Sequence, residues 1–100
     1  MIEKTTKIIS LFDFYQELLT KKQREYFECY YEDDLSFSEV AEKYGVSRNA
    51  VHDNLKRTVA ALENYEEKLS LYEKYVTKSK LIEEIKETNN LELLDVLEEL

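Results

Sequence analysis

The sequence predicts an all-α protein, and three observations carry that expectation. The 100 residues hold one glycine and no proline, whereas sheets and tight hairpins use both at their turns. Apolar residues recur three and four positions apart along most of the chain, the period of an amphipathic helix. Two serine-led helix starts flank the single glycine, Gly45, which is the layout of a helix-turn-helix. The architecture expected is a helix-turn-helix bundle extended by a long helix and short C-terminal helices. An apolar content of 43% suffices for a core. A dinucleotide-binding fold or a phosphate-binding loop needs several glycines, and this chain cannot build either.

The elements follow in order. Ile8, Ile9, Leu11, Phe12, Tyr15, Leu18 and Leu19 predict a helix over about residues 3–19. Thr20 reads as the N-cap of the next helix, because its hydroxyl can accept from an orphan amide. That helix, about residues 21–32, carries Tyr26, Phe27, Tyr30 and Tyr31, and Asp33-Asp34 end it. Ser36 and Glu39 make a capping box for a short helix with Val40, Ala41 and Tyr44. Gly45 then supplies the left-handed residue that reverses the chain, and Ser47 caps the helix that follows. Val51, Leu55, Thr58, Leu62, Tyr65, Leu69, Tyr72 and Val76 advance by alternating fours and threes, a seven-residue period. One helix from Arg48 to about Val76 is therefore expected, roughly 44 Å long. Thr77-Lys78-Ser79 allow a break, and Leu81, Ile82 and Ile85 suggest a short helix. Asn89-Asn90 mark a turn, and Leu91, Leu94 and Leu97 a last acidic helix. Residues 1–62 are expected to form a helical bundle with the helix-turn-helix at 36–58. Residues 63–100 continue the same domain.

Charge narrows the function. The chain holds 22 acids and 14 Lys+Arg, a net −8. Nucleic acid repels such a chain unless it presents a local basic face. Only residues 36–62 have a basic excess, with Lys43, Arg48, Lys56 and Arg57 against Glu39, Glu42 and Asp53. Residues 63–100 hold 11 acids and 5 bases.

Catalysis finds no support. His52 and Asp53 adjoin in sequence, and adjacent helical positions point apart. Cys29 has no second cysteine to pair with, no partner for a metal site and no base beside it in sequence, so it reads as an inert, half-buried residue. Glu66-Glu67, Glu83-Glu84 and Glu98-Glu99 read as solvated helix faces rather than metal ligands. The eight tyrosines lie mostly at core spacings, as core and interface rather than platforms for bases. The expectation is a non-enzymatic protein without metal or cofactor. No apolar run approaches the ~18 residues of a membrane span. The N-terminus lacks a basic region followed by an apolar block, so a cytoplasmic location is expected.

The helix-turn-helix assigns roles by geometry. Ala41 must be small where the two helices cross, and Val46, Val51 and Leu55 pack inward. Arg48, Asn49 and His52 then face outward, with Lys56 and Arg57 a turn later. Arginine can make two hydrogen bonds to guanine and asparagine two to adenine. Lys56 and Arg57 suit phosphates. The alternative for this face is a solvated polar surface on a helix that serves protein binding.

Several strings together resemble one family. They are Leu11-Phe12-Asp13-Phe14-Tyr15, Leu19-Thr20-Lys21-Lys22-Gln23-Arg24, Tyr30-Tyr31, Asp33-Asp34-Leu35-Ser36, Glu39-Val40-Ala41 and Val46 through Thr58. The chain resembles the YlxM family of small bacterial proteins over about residues 3–75. Residues 36–62 alone also resemble the promoter-reading helix-turn-helix of sigma factors. The resemblance implies a sigma-like, all-helical fold and a regulatory part in the signal recognition particle pathway. His52 stands where an aromatic is common in the family, so a contact made there differs.

The combined expectation is a homodimer that binds DNA or the particle's RNA through Arg48, Asn49, His52, Lys56 and Arg57. The rival is an acidic adaptor for the particle's GTPases with no nucleic-acid contact. The dimer is expected on residues 62–76, where three or four large side chains of the stripe would otherwise stand bare, the chain's own tail being the other cover.

Overall fold

The computed structural model describes residues 2–100, with side chains placed from Thr5 onward. Six α-helices and no strand are found among these residues. They are α1 (Ile2–Tyr15), α2 (Lys21–Phe27), α3 (Phe37–Tyr44), α4 (Arg48–Leu69), α5 (Leu71–Thr88) and α6 (Leu93–Glu99). A 3-10 turn, Gln16–Leu18, follows α1, and a π turn, Glu28–Glu32, follows α2. The all-α expectation is met.

Local chemistry sets the starts of α2 and α3 and the end of α2. Thr20 Oγ1 accepts from the Gln23 amide, and the Gln23 side chain accepts from the Thr20 amide. Ser36 and Glu39 make the same reciprocal pair. Each pair satisfies two amides that a helix start leaves orphaned. Where α2 ends, the Asp33 amide reaches back five residues to Glu28 at 2.9 Å. The resulting wide turn aims Tyr30 at Phe37 and Tyr31 at Phe27. Asp34, at φ 57°, then leads out toward α3.

The core lies where α1, α2 and α3 close over α4. Phe12 and Phe27 stack at 4.1 Å between centroids, nearly parallel. Leu11, Tyr15, Val40, Val51 and Leu62 are buried around them. Thr58 is the one polar side chain fully buried among the described residues, and its hydroxyl donates to the Asn54 carbonyl at 2.9 Å. Leu18, expected to face inward, is 53% exposed because the 3-10 turn rotates it outward.

Two expectations fail here. The helix that starts at Arg48 stops at Leu69 rather than near Val76, and Ser70 takes a left-handed conformation at φ 54°. Thr77, Lys78 and Ser79, expected to break the chain, lie inside α5, which runs 18 residues and is not short. The break holds because of a joint the heptad pattern does not encode. Glu66 accepts from the amides of Tyr72 and Glu73, the orphan donors of α5. Tyr15 Oη donates to Glu66 Oε1 at 2.7 Å and accepts from the Leu71 amide at 3.0 Å.

Beyond the joint the chain leaves the core. No residue of α5 or α6 is buried, and the molecule measures 57 × 24 × 19 Å. Its radius of gyration, 17.7 Å, exceeds the ~13 Å of a compact 100-residue domain. Large apolar side chains stand exposed along this arm, among them Tyr75, Ile82, Leu94 and Leu100.

Candidate nucleic-acid interface

The turn between α3 and α4 is built from backbone hydrogen bonds. The Val46 amide bonds the Ala41 carbonyl at 3.0 Å, and the Gly45 amide the Glu42 carbonyl at 3.4 Å. Gly45, at φ 66° and ψ 37°, is left-handed as expected, which completes a glycine-terminated helix end. Ser47 Oγ then accepts from the Ala50 amide at 3.0 Å. Arg48 and Asn49 are therefore held in the first turn of α4.

Burial assigns the two faces of α4. Val51, Leu55, Thr58 and Leu62 point into the core. Arg48, Asn49, His52, Lys56 and Arg57 are all exposed. They do not form one uniform patch. The Arg48 guanidinium lies over the Phe37 ring at 5.6 Å, and the His52 ring meets the same phenyl edge-on at 5.4 Å. Arg48 and His52 thus flank Phe37. Lys56 joins His52 at a hollow on that side. Arg57 turns the other way, to a polar groove shared with Lys22, Gln23, Asn54 and Asp53.

Two residues on this surface escape sequence reasoning. Lys22 reaches the groove from α2, and Phe37 seats Arg48 from the first residue of α3. Neither carries a local signal, because each meets α4 only in the folded chain. Acids also border the face. Asp53 is exposed among the bases, and His52 Nδ1 approaches Asp53 Oδ1 at 3.7 Å. The expectation that the two would point apart is corrected, and both side chains are more than half exposed.

The surroundings of Cys29 also differ from expectation. Its thiol is buried, and α3 brings Lys43 Nζ and Tyr44 Oη each to 3.7 Å from the sulfur. Burial first, then the contact with Cys29, pushes the Tyr44 phenol up to about 12. Among the described residues, no group of three or more His, Cys, Asp and Glu could hold a metal ion. No helix there is long and apolar enough to cross a membrane.

Comparison with known proteins agrees with this geometry. Residues 2–98 match the family described as "Putative helix-turn-helix protein, YlxM / p13 like". A protein of Oceanobacillus iheyensis named UPF0122 protein OB1530 is 59% identical over 86 residues, 86% of this chain and 82% of that one. UPF0122 proteins of Bacillus cereus (strain Q1) and Bacillus anthracis are 56% identical over 87 residues, 87% of this chain and 79% of theirs. With that match running nearly end to end, the chain belongs to the YlxM/p13-like helix-turn-helix family, UPF0122.

Proposed function

We propose that this chain is a non-enzymatic, cytoplasmic regulatory protein that binds nucleic acid through the first turns of α4. The carrying observation is that Arg48, Asn49, His52, Lys56 and Arg57 are all exposed on a helix whose start is capped by Ser47 and preceded by the left-handed Gly45. Arg48 and Asn49 read base edges, and Lys56, Arg57 and Lys22 meet phosphates. Residues 1–62 serve as the binding head, and residues 63–100 extend the same domain. The place of this activity is the signal recognition particle pathway, a reading supported by the YlxM resemblance. The target is DNA or the particle's RNA.

Replacing Arg48 and Asn49 together by alanine tests the reading. Binding should weaken by about 2–5 kcal/mol if both contacts are specific, with thermal stability nearly unchanged. Affinity should fall with salt along a log–log slope of about −3 to −4, for about four basic contacts. Unaltered binding by the folded double variant would overturn the assignment.

A second reading draws on the α5–α6 arm. Residues 71–100 hold eight acids and four bases, and large apolar side chains stand exposed beside them. In this reading the arm docks a basic partner such as the particle's GTPases, and nucleic acid shows no affinity at any salt. Under either reading we place a homodimer contact on the exposed faces of this arm. The stripe at residues 62–76 serves less well, because Leu62 is fully buried and Tyr65 and Tyr72 pack on the core of their own chain.

A further inference from the structure

The hollow beside the recognition helix has the makings of a binding site that the helix-turn-helix geometry alone does not explain. It is a cavity of about 350 Å³ walled by Tyr30, Tyr31, Phe37, His52, Lys56 and Val59. That volume falls at the lower end of small-ligand sites, roughly 300–1,000 Å³. Four of its nine lining residues carry flat rings, beside the aliphatic Ile8, Leu55 and Val59. Tyr30 stacks on Phe37 at 4.7 Å with planes 14° apart. Tyr31 stands at 85° to Tyr30, and His52 at 84° to Phe37. Tyr30, Tyr31 and Phe37 pack against the core yet are only half-buried, which leaves part of each ring open to the cavity. The π turn at Glu28–Glu32 presents Tyr30 and Tyr31, consecutive residues, to the same corner.

Charge selects among occupants. Lys56 and His52 belong both to the cavity and to the exposed face of α4, so the site continues the proposed nucleic-acid surface. A second hollow, which shares Tyr30 and Tyr31 with the first, is edged by Asp34 and Glu39. A phosphate backbone is repelled there and drawn toward Lys56. Aromatic walls with a cation at one rim match a flat ring carried on a phosphate chain. An aliphatic side chain of a protein would use neither feature.

We propose that this cavity receives one unpaired nucleobase from a looped or bulged nucleic acid whose backbone passes Lys56. The proposal rests on the nucleic-acid reading above and names its ligand class. A base within an intact duplex stays stacked and cannot enter. A-form RNA adds a second reason, since its deep major groove excludes α4.

Hairpins with a four-nucleotide adenosine loop, made as RNA and as DNA, test this at about 50 mM salt, where phosphate contacts are strong. Three ligands are compared: the intact hairpin, the same hairpin with abasic loop positions, and a fully paired duplex. The intact loop should bind about tenfold more tightly than the abasic loop, the scale of one base stacked on an aromatic ring. Phe37→Leu, which keeps apolar bulk, and Val59→Phe, which fills the cavity, should each erase that ratio. Two variants guard against a misfolded one, and circular dichroism verifies each. Equal affinity for intact and abasic loops overturns the proposal and leaves the cavity to a protein side chain, while duplex binding keeps the nucleic-acid reading alive. Binding to none of the three ligands overturns both.

Discussion

Gly45 concentrates the helix-turn-helix into one backbone angle. A β-carbon built at this position meets no atom within 4 Å, so crowding plays no part in the glycine requirement. What remains is the left-handed conformation at φ 66°, which costs an ordinary L-residue roughly 1–2 kcal/mol. Gly45→Ala and Gly45→Val should both destabilise in urea titrations, with valine at the upper end because its branched side chain tolerates left-handed backbone least. Loss well beyond that range would mean a contact other than backbone strain. Ser70 poses the inverse case. It holds the same conformation at φ 54° without a cap hydrogen bond from its side chain. Ser70→Gly should therefore stabilise by about 1 kcal/mol, read in the same titration, and a neutral or negative result would remove strain from the account of the joint.

The elements divide into those with local causes and those without. Thr20 with Gln23, Ser36 with Glu39, and Ser47 before Ala50 are short-range hydrogen bonds, so their helix starts were legible in the sequence. The inward face of α4 was legible for a similar reason, since Val51, Leu55 and Thr58 recur on one side. The stop at Leu69 was not, because its cause lies in Tyr15, 51 residues before Glu66. Leu69, Tyr72 and Val76 keep helical spacing across a one-residue break, so periodicity passes over it. Ser70 and Glu73 do match the spacing of a capping box, a sign that could have flagged a new start, although Glu66 rather than Ser70 caps it. At the candidate site, the α4 residues were legible and their partners Phe37, Tyr30 and Lys22 were not, because tertiary contact and a π turn bring them there. The joint itself should respond to acid. Burial opposes ionisation of Glu66, but hydrogen bonds from Tyr15 and the amides of Tyr72 and Glu73 overcome it and lower its carboxyl below the ordinary 4.5. A depressed folded value gives stability that is present above the unfolded value and fades as pH falls through the folded one. Glu66→Gln should thus melt lower than wild type near neutral pH, with the gap closing as pH falls below the ordinary 4.5 and through the lowered folded value. A gap independent of pH would show that the carboxylate charge plays no part.

At the scale of the whole molecule, a buried head and an unburied arm meet at that joint. Leu69, Tyr75, Ile82, Leu94, Val96 and Leu100 are exposed in sequence order along or beside the arm, and such faces ordinarily associate. A symmetric dimer is the commonest solution for a soluble chain. Sedimentation equilibrium at tens of micromolar should give about twice the 12.0 kDa chain mass. Leu94→Asp should return it to the single-chain mass, since the contact would bury an unpaired carboxylate. A wild-type protein that sediments at 12.0 kDa would mean that the arm stands alone. The net charge of −8 bears on the same scale, because it opposes non-specific attachment to nucleic acid.

Tyr15 has a mechanical meaning as well. Its phenol belongs to α1, donates to α4 through Glu66 and accepts from α5 through Leu71, so three helices share one pin. Tension applied at the C-terminus travels down α5 to Ser70, where the covalent chain passes it into α4 and the Tyr15 pin passes part of it to α1. A pull on the tail therefore loads α4 directly, and the pin makes α1 share that load.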